Sequence, residues 1–400
     1  MGLDKKGYYT LKDILPYRAD YNIILSGRSI GKSYATEFEK KFDYKDKDGN
    51  KFEFMGALRE AWERKEMTLG YVRRWQDDIK GQNCAEAFTD KLAGIEELTK
   101  GDANFVVQRG SKLYFAKVDN EGKMTTGLCF GQAFALSENE RYKSRQFPTI
   151  TTVIYEEFVT KNRYLPDEPT ILQQLISTIS RSERKLSVFL IANTINQVCP
   201  YFSEWGLVNV PKQKIGTIDK YSVKGTDMAG NEKVSIVCVE YAQSNDESNK
   251  KRKSRSQVFI GKAQKAITGG AWETDNFPHL YDIEWIKDDD GVPIIEKETL
   301  SSYIYECSLH KFVIELCINE QNGGKFVFVY PAKQSKLYQD LKRFTKNFDV
   351  SNINEGNRIN KNSRLELALA NLIKEERVCF SDNLTGQNFY NCLKEFNFIR

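Results

Sequence analysis

Tyr21-Asn-Ile-Ile-Leu-Ser26 runs directly into Gly27-Arg-Ser-Ile-Gly-Lys-Ser33, and the reading of this stretch decides the fold. A short apolar run closed by glycine reads as a buried strand. Beyond it Tyr34, Phe38 and Phe42, spaced i, i+4, i+8, predict one face of a helix. From Ser26 to Ser33 the residues fit GxxxxGK[ST], with Ser26 in place of the first glycine and Gly27 beside it for the tight turn. That pattern curls backbone N–H groups around phosphates in front of a helix start. Gly31 permits close approach, Lys32 reaches the terminal phosphate oxygens, and the Ser33 hydroxyl ligates Mg²⁺. The candidate nucleotide-binding segment is therefore Ser26, Gly27, Arg28, Ser29, Ile30, Gly31, Lys32, Ser33 and Tyr34, with ATP and Mg²⁺ as the expected cofactors. An average chain of this length carries about 0.2 GK[ST] triplets by chance, so the flanking strand and helix give the triplet its weight. A plain glycine-rich βα turn is the competing reading.

A phosphate loop needs a second acid at the end of a neighbouring parallel strand. Thr149-Ile-Thr-Thr-Val-Ile-Tyr155 is almost wholly β-branched, which suits a central strand buried on both faces, and it runs straight into Glu156-Glu157. By position Glu156 holds the magnesium shell and Glu157 is the general base that activates water. A solvated strand end is the alternative. The distance along the chain from Lys32 implies an extra strand between the two motifs, which Leu69-Gly-Tyr-Val-Arg-Arg-Trp75 can supply. Ser187 to Ala192 is a further buried strand, and Asn193 at its tip either touches the γ-phosphate or attacking water, or merely caps the strand. Three arginine groups could meet transition-state charge: Arg28 in cis, Arg73 and Arg74 at a strand end, and Arg181 or Arg184 reaching a ring neighbour, the last pair being favoured.

Working outward, 400 residues imply two or three domains. The order β-α-β…β-α-β predicts an α/β domain over 1–205. Phe105-Val-Val, Lys112-Leu-Tyr-Phe and Gly127-Leu-Cys-Phe predict a hairpin-like insertion within it. Residues 206–262 read as a linker segment: hairpin material over 212–239, then the polar, charged run from Ser244 to Arg255. A second domain over 263–400 holds strands at Tyr303–Tyr305, Phe312–Ile318 and Lys325–Tyr330, with a helix at Leu365–Ile373.

Composition removes several classes of chemistry. With two histidines and no CxxC among eight cysteines, a Cys/His zinc cluster and Ser-His-Asp or Cys-His catalysis are poor fits, and the cysteines read as buried thiols. No apolar run approaches about 18 residues, and the N-terminus lacks an apolar signal region, so a soluble intracellular protein is expected. A net charge of +4, from 59 basic and 55 acidic residues, is too balanced to coat a nucleic acid, so any such contact must be local. Lys250, Lys251, Arg252 and Lys253 form one candidate patch, and Lys143 and Arg145 another. A solvated linker is the plain alternative for the first. Binding of either kind would run through phosphates and depend on salt.

Ile24-Leu-Ser-Gly-Arg-Ser-Ile-Gly-Lys-Ser-Tyr-Ala35, Gly70-Tyr-Val-Arg-Arg-Trp75, Thr152-Val-Ile-Tyr-Glu-Glu-Phe158, Ile191-Ala-Asn-Thr194 and Pro200-Tyr-Phe202 together resemble the viral genome-packaging ATPases. Within these, which are terminase large-subunit-like, they resemble the small DNA-encapsidation ATPase of phi-29-like podophages. The likeness covers roughly residues 20–205 and is faint beyond; Ser26 and Glu156 depart from the family pattern. It implies an α/β P-loop NTPase fold (ASCE-type, a mostly parallel sheet with helices on both faces) plus a C-terminal α+β RNase H-like domain. It further implies a homo-oligomeric ring, typically a pentamer, on the portal of a procapsid in the host cytoplasm, driving double-stranded DNA inward. A phage structural RNA at the portal is a further implied partner; no membrane is. Glu306, Glu315 and Asp340 form no convincing metal triad, so an inactive nuclease fold is expected. The alternatives are a conventional terminase or helicase-like motor with an active nuclease, and a nucleotide-gated structural portal subunit.

Overall fold

The structure, a computed structural model, describes residues 8–27, 30–160, 163–180, 186–226, 230–243, 276–279, 297–319, 323–332 and 340–396. The chain divides into two compact units. The first comprises residues 1–160, 164–195 and 205–271, and the second comprises 161–163, 196–204 and 272–400.

The first unit is built on β1 (Tyr21–Ser26), β4 (Leu69–Arg73), β5 (Phe105–Arg109), β6 (Lys112–Val118), β7 (Met124–Ala135), β8 (Thr152–Glu156), β9 (Ser187–Asn193), β10 (Thr217–Thr226) and β11 (Glu232–Tyr241). They form one sheet in the order β10-β11-β1-β9-β8-β4-β7-β6-β5. The pairs from β11 through β7 are parallel, while β10 and the β6-β5 edge run antiparallel. Strands β1, β8 and β9 are buried along almost their whole length, as central parallel strands must be when both faces are covered. Leu58 and Ala61 of α2 (Ala57–Arg64) share a core with Ile24, Ile154 and Phe189 of these strands, and Leu172 and Leu175 of α5 (Glu168–Ile179) are likewise fully buried.

Three expectations are corrected here. The helix after β1, α1 (Lys32–Phe38), stops before Phe42, which opens the hairpin of β2 (Phe42–Lys45) and β3 (Lys51–Phe54). Cross-strand rings at Phe42–Phe54 (6.0 Å) and Tyr44–Phe52 (5.8 Å) favour the hairpin over a third helical turn. At that corner Gly56 N donates to Glu39 O at 3.0 Å. A Cβ on Gly56 would lie 2.5 Å from Glu39 N, so only glycine fits. Strands β5, β6 and β7 form the expected antiparallel hairpins, and because β7 also pairs in parallel with β4 the three extend the main sheet. The stretch read as the start of a linker also belongs to the sheet: β11 pairs in parallel with β1, Ile23 opposite Val239, and buries Val237, Cys238 and Val239. Its alternating, partly polar pattern is that of a hairpin with one buried end. In space the strand between β1 and β8 is β9, and β4 lies outside β8.

The second unit holds α6 (Pro200–Glu204), β12 (Lys297–Cys307), β13 (His310–Asn319), β14 (Lys325–Pro331), β15 (Lys342–Thr345), β16 (Glu355–Gly356), α7 (Arg364–Lys374), β17 (Val378–Phe380) and α8 (Asn383–Phe396). The sheet order is β16-β15-β12-β13-β14-β17: an antiparallel β12-β13-β14 meander with parallel strands added on both sides. Its core joins Tyr305, Phe312, Val327, Phe344, Leu369 and Phe389. The α7 start is set by Ser363, whose hydroxyl accepts from Glu366 N at 3.4 Å.

Candidate functional site

Because β1, β9, β8 and β4 run parallel, their carboxyl ends meet on one edge of the sheet, where ligands bind in open α/β folds. Ser26 pairs with Asn193 across β1 and β9, and Glu156 with Ile191 across β8 and β9. The sequence motifs, scattered over the first two hundred residues, therefore arrive at one edge.

The β1–α1 loop closes on Lys32. Its ammonium donates to Ser26 Oγ at 2.5 Å, Gly27 O at 3.2 Å and Asn193 Oδ1 at 3.3 Å, and the side chain is buried. Ser26 Oγ in turn donates to Gly27 O at 2.6 Å, so the residue that departs from the glycine pattern is used as a ligand to the lysine. Gly31 has φ +96°, a conformation glycine adopts without strain. Tyr9 N donates to Ile30 O at 3.2 Å, which ties the N-terminal segment to the loop. Tyr34 faces outward and stacks on Phe38 at 4.6 Å. Arg28 and Ser29 lie outside the described residues, as do Arg181, Arg184 and Lys250 to Lys253.

The two acids behave differently. Glu156 Oε2 accepts from the Tyr71 hydroxyl at 2.6 Å. Burial pushes the Glu156 carboxyl up, yet the Lys91 ammonium, the Ser33 and Tyr71 hydroxyls and the Arg73 guanidinium outweigh it, and the net shift is downward. Its Oε1 is buried and, among the described residues, meets no hydrogen bond of ordinary length and angle, although Ser33 is close enough to favour the charged form. A buried carboxylate oxygen left open beside a hydroxyl fits a hard divalent cation, and Ser33 and Glu156 are the residues that would hold it. Glu157, one residue on, turns away with φ +58°, unusual for a residue with a side chain. Its side chain is 68% exposed, and Oε2 takes Arg73 Nη2 at 2.8 Å.

Arg74 is buried in a role that the sequence did not reveal. Its Nε and Nη2 grip Glu168 at 2.7 and 3.1 Å, and Nη2 also donates to Phe158 O at 2.6 Å. Tyr155 donates to the same carboxylate at 2.7 Å. This network fixes the turn after Glu157 to the start of α5. Breaking one side of such a buried pair typically costs about 3–5 kcal/mol. Arg74 is thus a structural residue, whereas Arg73 stays at the site. Lys143 and Arg145 are exposed on the segment before β8, with Lys143 paired to Glu140 at 2.5 Å.

The model of the Podovirus DNA encapsidation protein (Gp16) family matches residues 3–276. The chain belongs to that family. Among curated relatives of the family, the DNA packaging protein of Bacillus phage phi29 is 24% identical over 220 residues, covering 54% of this chain and 55% of its own length. The DNA packaging protein of Bacillus phage B103 is 27% identical over 201 residues, 49% of this chain and 50% of that one. The matched part thus spans about half the length of these relatives. Over nearly the whole chain (96%, and 98% of the neighbour), the fold is similar to a chain of the bacteriophage Phi-29 viral genome packaging motor assembly, with a TM-score of 0.51 at 18% identity.

Proposed function

We propose that this family member is an ATPase that drives double-stranded viral DNA through the portal into a preformed procapsid. The observation that carries the reading is the convergence of Lys32, Asn193, Ser33, Glu156 and Glu157 at the common ends of β1, β9 and β8. Lys32, now held by Ser26, Gly27 and Asn193, exchanges those partners for the terminal phosphate oxygens of ATP. Asn193, at the tip of β9, is then the residue that touches the γ-phosphate or the attacking water. Glu157, exposed and tethered to Arg73, orients the water and takes its proton. Ser33 and Glu156 would hold magnesium, which would supply neutralisation of phosphate charge. The β11-β1-β9-β8-β4 order supports a P-loop NTPase sheet of the ASCE type.

In the second unit, an antiparallel β12-β13-β14 meander continued in parallel from β12 into β15 and β16 supports an RNase H-like domain. Its acids are engaged otherwise: Glu306 pairs with Lys311 and Arg343, and Glu315 with Lys297 and the Tyr330 hydroxyl. Cations at those carboxylates favour a domain without nuclease activity. The family reading extends to a ring, a pentamer by resemblance, seated on the portal in the host cytoplasm. Arg181 or Arg184 is then the candidate for the arginine acting across subunits.

The test is ATP hydrolysis by the purified chain, with and without double-stranded DNA and proheads, comparing wild type, Lys32→Ala and Glu157→Gln. DNA-stimulated turnover abolished by both changes supports the motor. No turnover even with proheads sinks it in favour of a nucleotide-gated structural subunit.

A further inference from the structure

Ahead of β1 the chain lies as a strap along α1, tied to both ends of that helix and to β11. At the head of the helix the Tyr9 N–H donates to Ile30 O at 3.2 Å. Beyond its end the Leu11 N–H donates to Glu39 Oε2 at 3.1 Å, and the Thr10 hydroxyl donates to Oε1 of the same carboxylate. The Tyr9 hydroxyl reaches β11 and donates to Glu240 Oε2 at 2.6 Å. Tyr9, Leu11, Ile14 and Leu15 join Ile30 in one buried core, so the strap is packed as well as bonded. The helix is fixed from elsewhere too, by the segment that carries α3 (Asn83–Glu86) and α4 (Leu92–Leu98). There Lys91 Nζ pairs with Glu37 at 2.8 Å, and a Cβ at Gly94 would come within 3.1 Å of the Tyr34 ring.

With the helix fixed, what stays free at its head is the orientation of single peptide planes. A trans peptide is planar, with its C=O and N–H on opposite sides. The plane that joins Ile30 to Gly31 has its carbonyl turned to the strap, where Tyr9 N holds it. Its N–H, that of Gly31, therefore points away from the strap. Among the described residues that N–H meets no acceptor within the protein. Gly31 itself lies against the strap: a Cβ there would stand 3.8 Å from the Tyr8 ring and 3.9 Å from Tyr9 N. Flipping the plane would break the Tyr9 bond and leave the Tyr9 N–H buried without a partner, which costs more than the bond itself gives.

We propose that Tyr9 is a positioning residue of the phosphate loop: its backbone N–H holds the Ile30 carbonyl against the strap and so keeps the Gly31 N–H turned toward the phosphates. This rests on the reading of the site as an ATP site. No contact between Tyr9 and the nucleotide is involved. The bonds to Glu240 and, through Thr10 and Leu11, to Glu39 anchor the strap, so the loop is set before the ligand arrives. The gain in affinity is for the polyphosphate, whatever base it carries.

The experiment replaces single peptide bonds of the full chain by esters, which deletes one N–H and changes no side chain. Binding of a fluorescent ATP analogue, and its displacement by inorganic tripolyphosphate, are read well below the melting temperature. No binding by the unmodified chain would defeat the ATP reading itself, separately from the role of Tyr9. An ester at Tyr9 should weaken both ligands about fivefold, the effect of one hydrogen bond. An ester at Leu11, which removes a strap anchor but not the link to the loop, should leave both within about twofold. In a chain whose Gly31 N–H is already removed by an ester, the Tyr9 ester should cost less than about twofold more, because it acts through that donor. Unchanged affinity with the Tyr9 ester overturns the proposal. So do equal losses at Tyr9 and Leu11, or a further fivefold loss on the Gly31 background. A second measurement needs no variant: by linkage the bound analogue must slow deuterium exchange of the Tyr9 amide by the same factor, about fivefold. Exchange indifferent to the analogue overturns the proposal as well.

Discussion

Arg73 Nη2 sits 2.8 Å from Glu157 Oε2, joining the end of β4 to the residue just past the end of β8. The pair is largely open to solvent on the glutamate side, so it contributes little to stability, roughly 1 kcal/mol or less. Its consequence is positional: it holds the proposed base in a defined direction while the backbone at Glu157 occupies a left-handed conformation. Glu157→Gln should reduce ATP turnover by about 10²–10⁴-fold with nucleotide affinity within a few-fold. The melting temperature should hardly move, since the side chain is exposed. Single-turnover kinetics beside a thermal melt check both.

Lys32 and Asn193 form a second testable relationship, 3.3 Å apart. Lys32→Ala should weaken ATP binding at least tenfold, because the buried ammonium is the group expected to bind the terminal phosphates. Asn193→Ala leaves Lys32 its two loop partners, so affinity should be largely kept and turnover should fall. Titration calorimetry with ATP, read against turnover, separates the two outcomes.

The buried Arg74–Glu168 pair predicts stability rather than rate. Arg74→Met should destabilise the chain by about 3–5 kcal/mol, because Glu168 and Phe158 O lose the buried guanidinium that joins them. Changing Arg74→Met together with Glu168→Leu should recover much of that. Urea unfolding of the four proteins completes the cycle; equal losses in single and double variants would show that the pair is not what holds the turn.

Glu240 gives a pH dependence with a definite sign. It lies on β11 opposite Ile24 of β1, buried, with Tyr9 donating to Oε2 at 2.6 Å. Burial raises its carboxyl to about 7, with the Tyr9 hydroxyl opposing. The unfolded chain binds this proton only below about 4.3. The folded state therefore binds it more tightly, and the stability so gained is full below about 4.3, lost progressively up to about 7 and absent above. A gap of this size is on the order of 3 kcal/mol. Glu240→Gln lacks the loss, so the melting temperature of the variant minus that of wild type should grow between pH 5 and pH 8. A flat difference would mean that Glu240 titrates normally.

The exposed pair Lys143 and Arg145 should report on DNA. If the segment before β8 touches phosphates, Arg145→Ala should weaken double-stranded DNA binding and lower the slope of log affinity against log salt by about 1, whatever the DNA sequence. Fluorescence anisotropy at several salt concentrations measures it, and an unchanged slope removes the segment from the interface.

Much of the site was readable because each motif is local. Ser26 to Ser33 carries its own strand, turn and helix start, and Glu156-Glu157 follows an apolar run that can only be a buried strand. The β4 and β9 segments were legible for the same reason, their apolar runs being uninterrupted. What escaped lies in long-range pairing. Nothing near Arg74 in the chain announces Glu168, and nothing near Lys91 announces Glu37, because buried ion pairs join residues that sequence spacing does not relate. The hairpin at β2-β3 escaped too, since Phe42 continues the helical spacing of Tyr34 and Phe38 and only its packing on Phe54 decides otherwise.

The sequence alone determined the chemistry on offer: a phosphate-type loop with Lys32 and Ser33, two acids at a strand end, and the family resemblance that their wording carries. The tertiary structure decided which of these groups meet and in what state. It set β9 between β1 and β8, bringing Asn193 to Lys32, added β10 and β11 to the sheet, and separated Arg73 at the site from Arg74 in the core. The physical reason is that apolar periodicity is written residue by residue, whereas the order of strands and the partner of a buried charge are chosen by the free energy of the whole packed sheet.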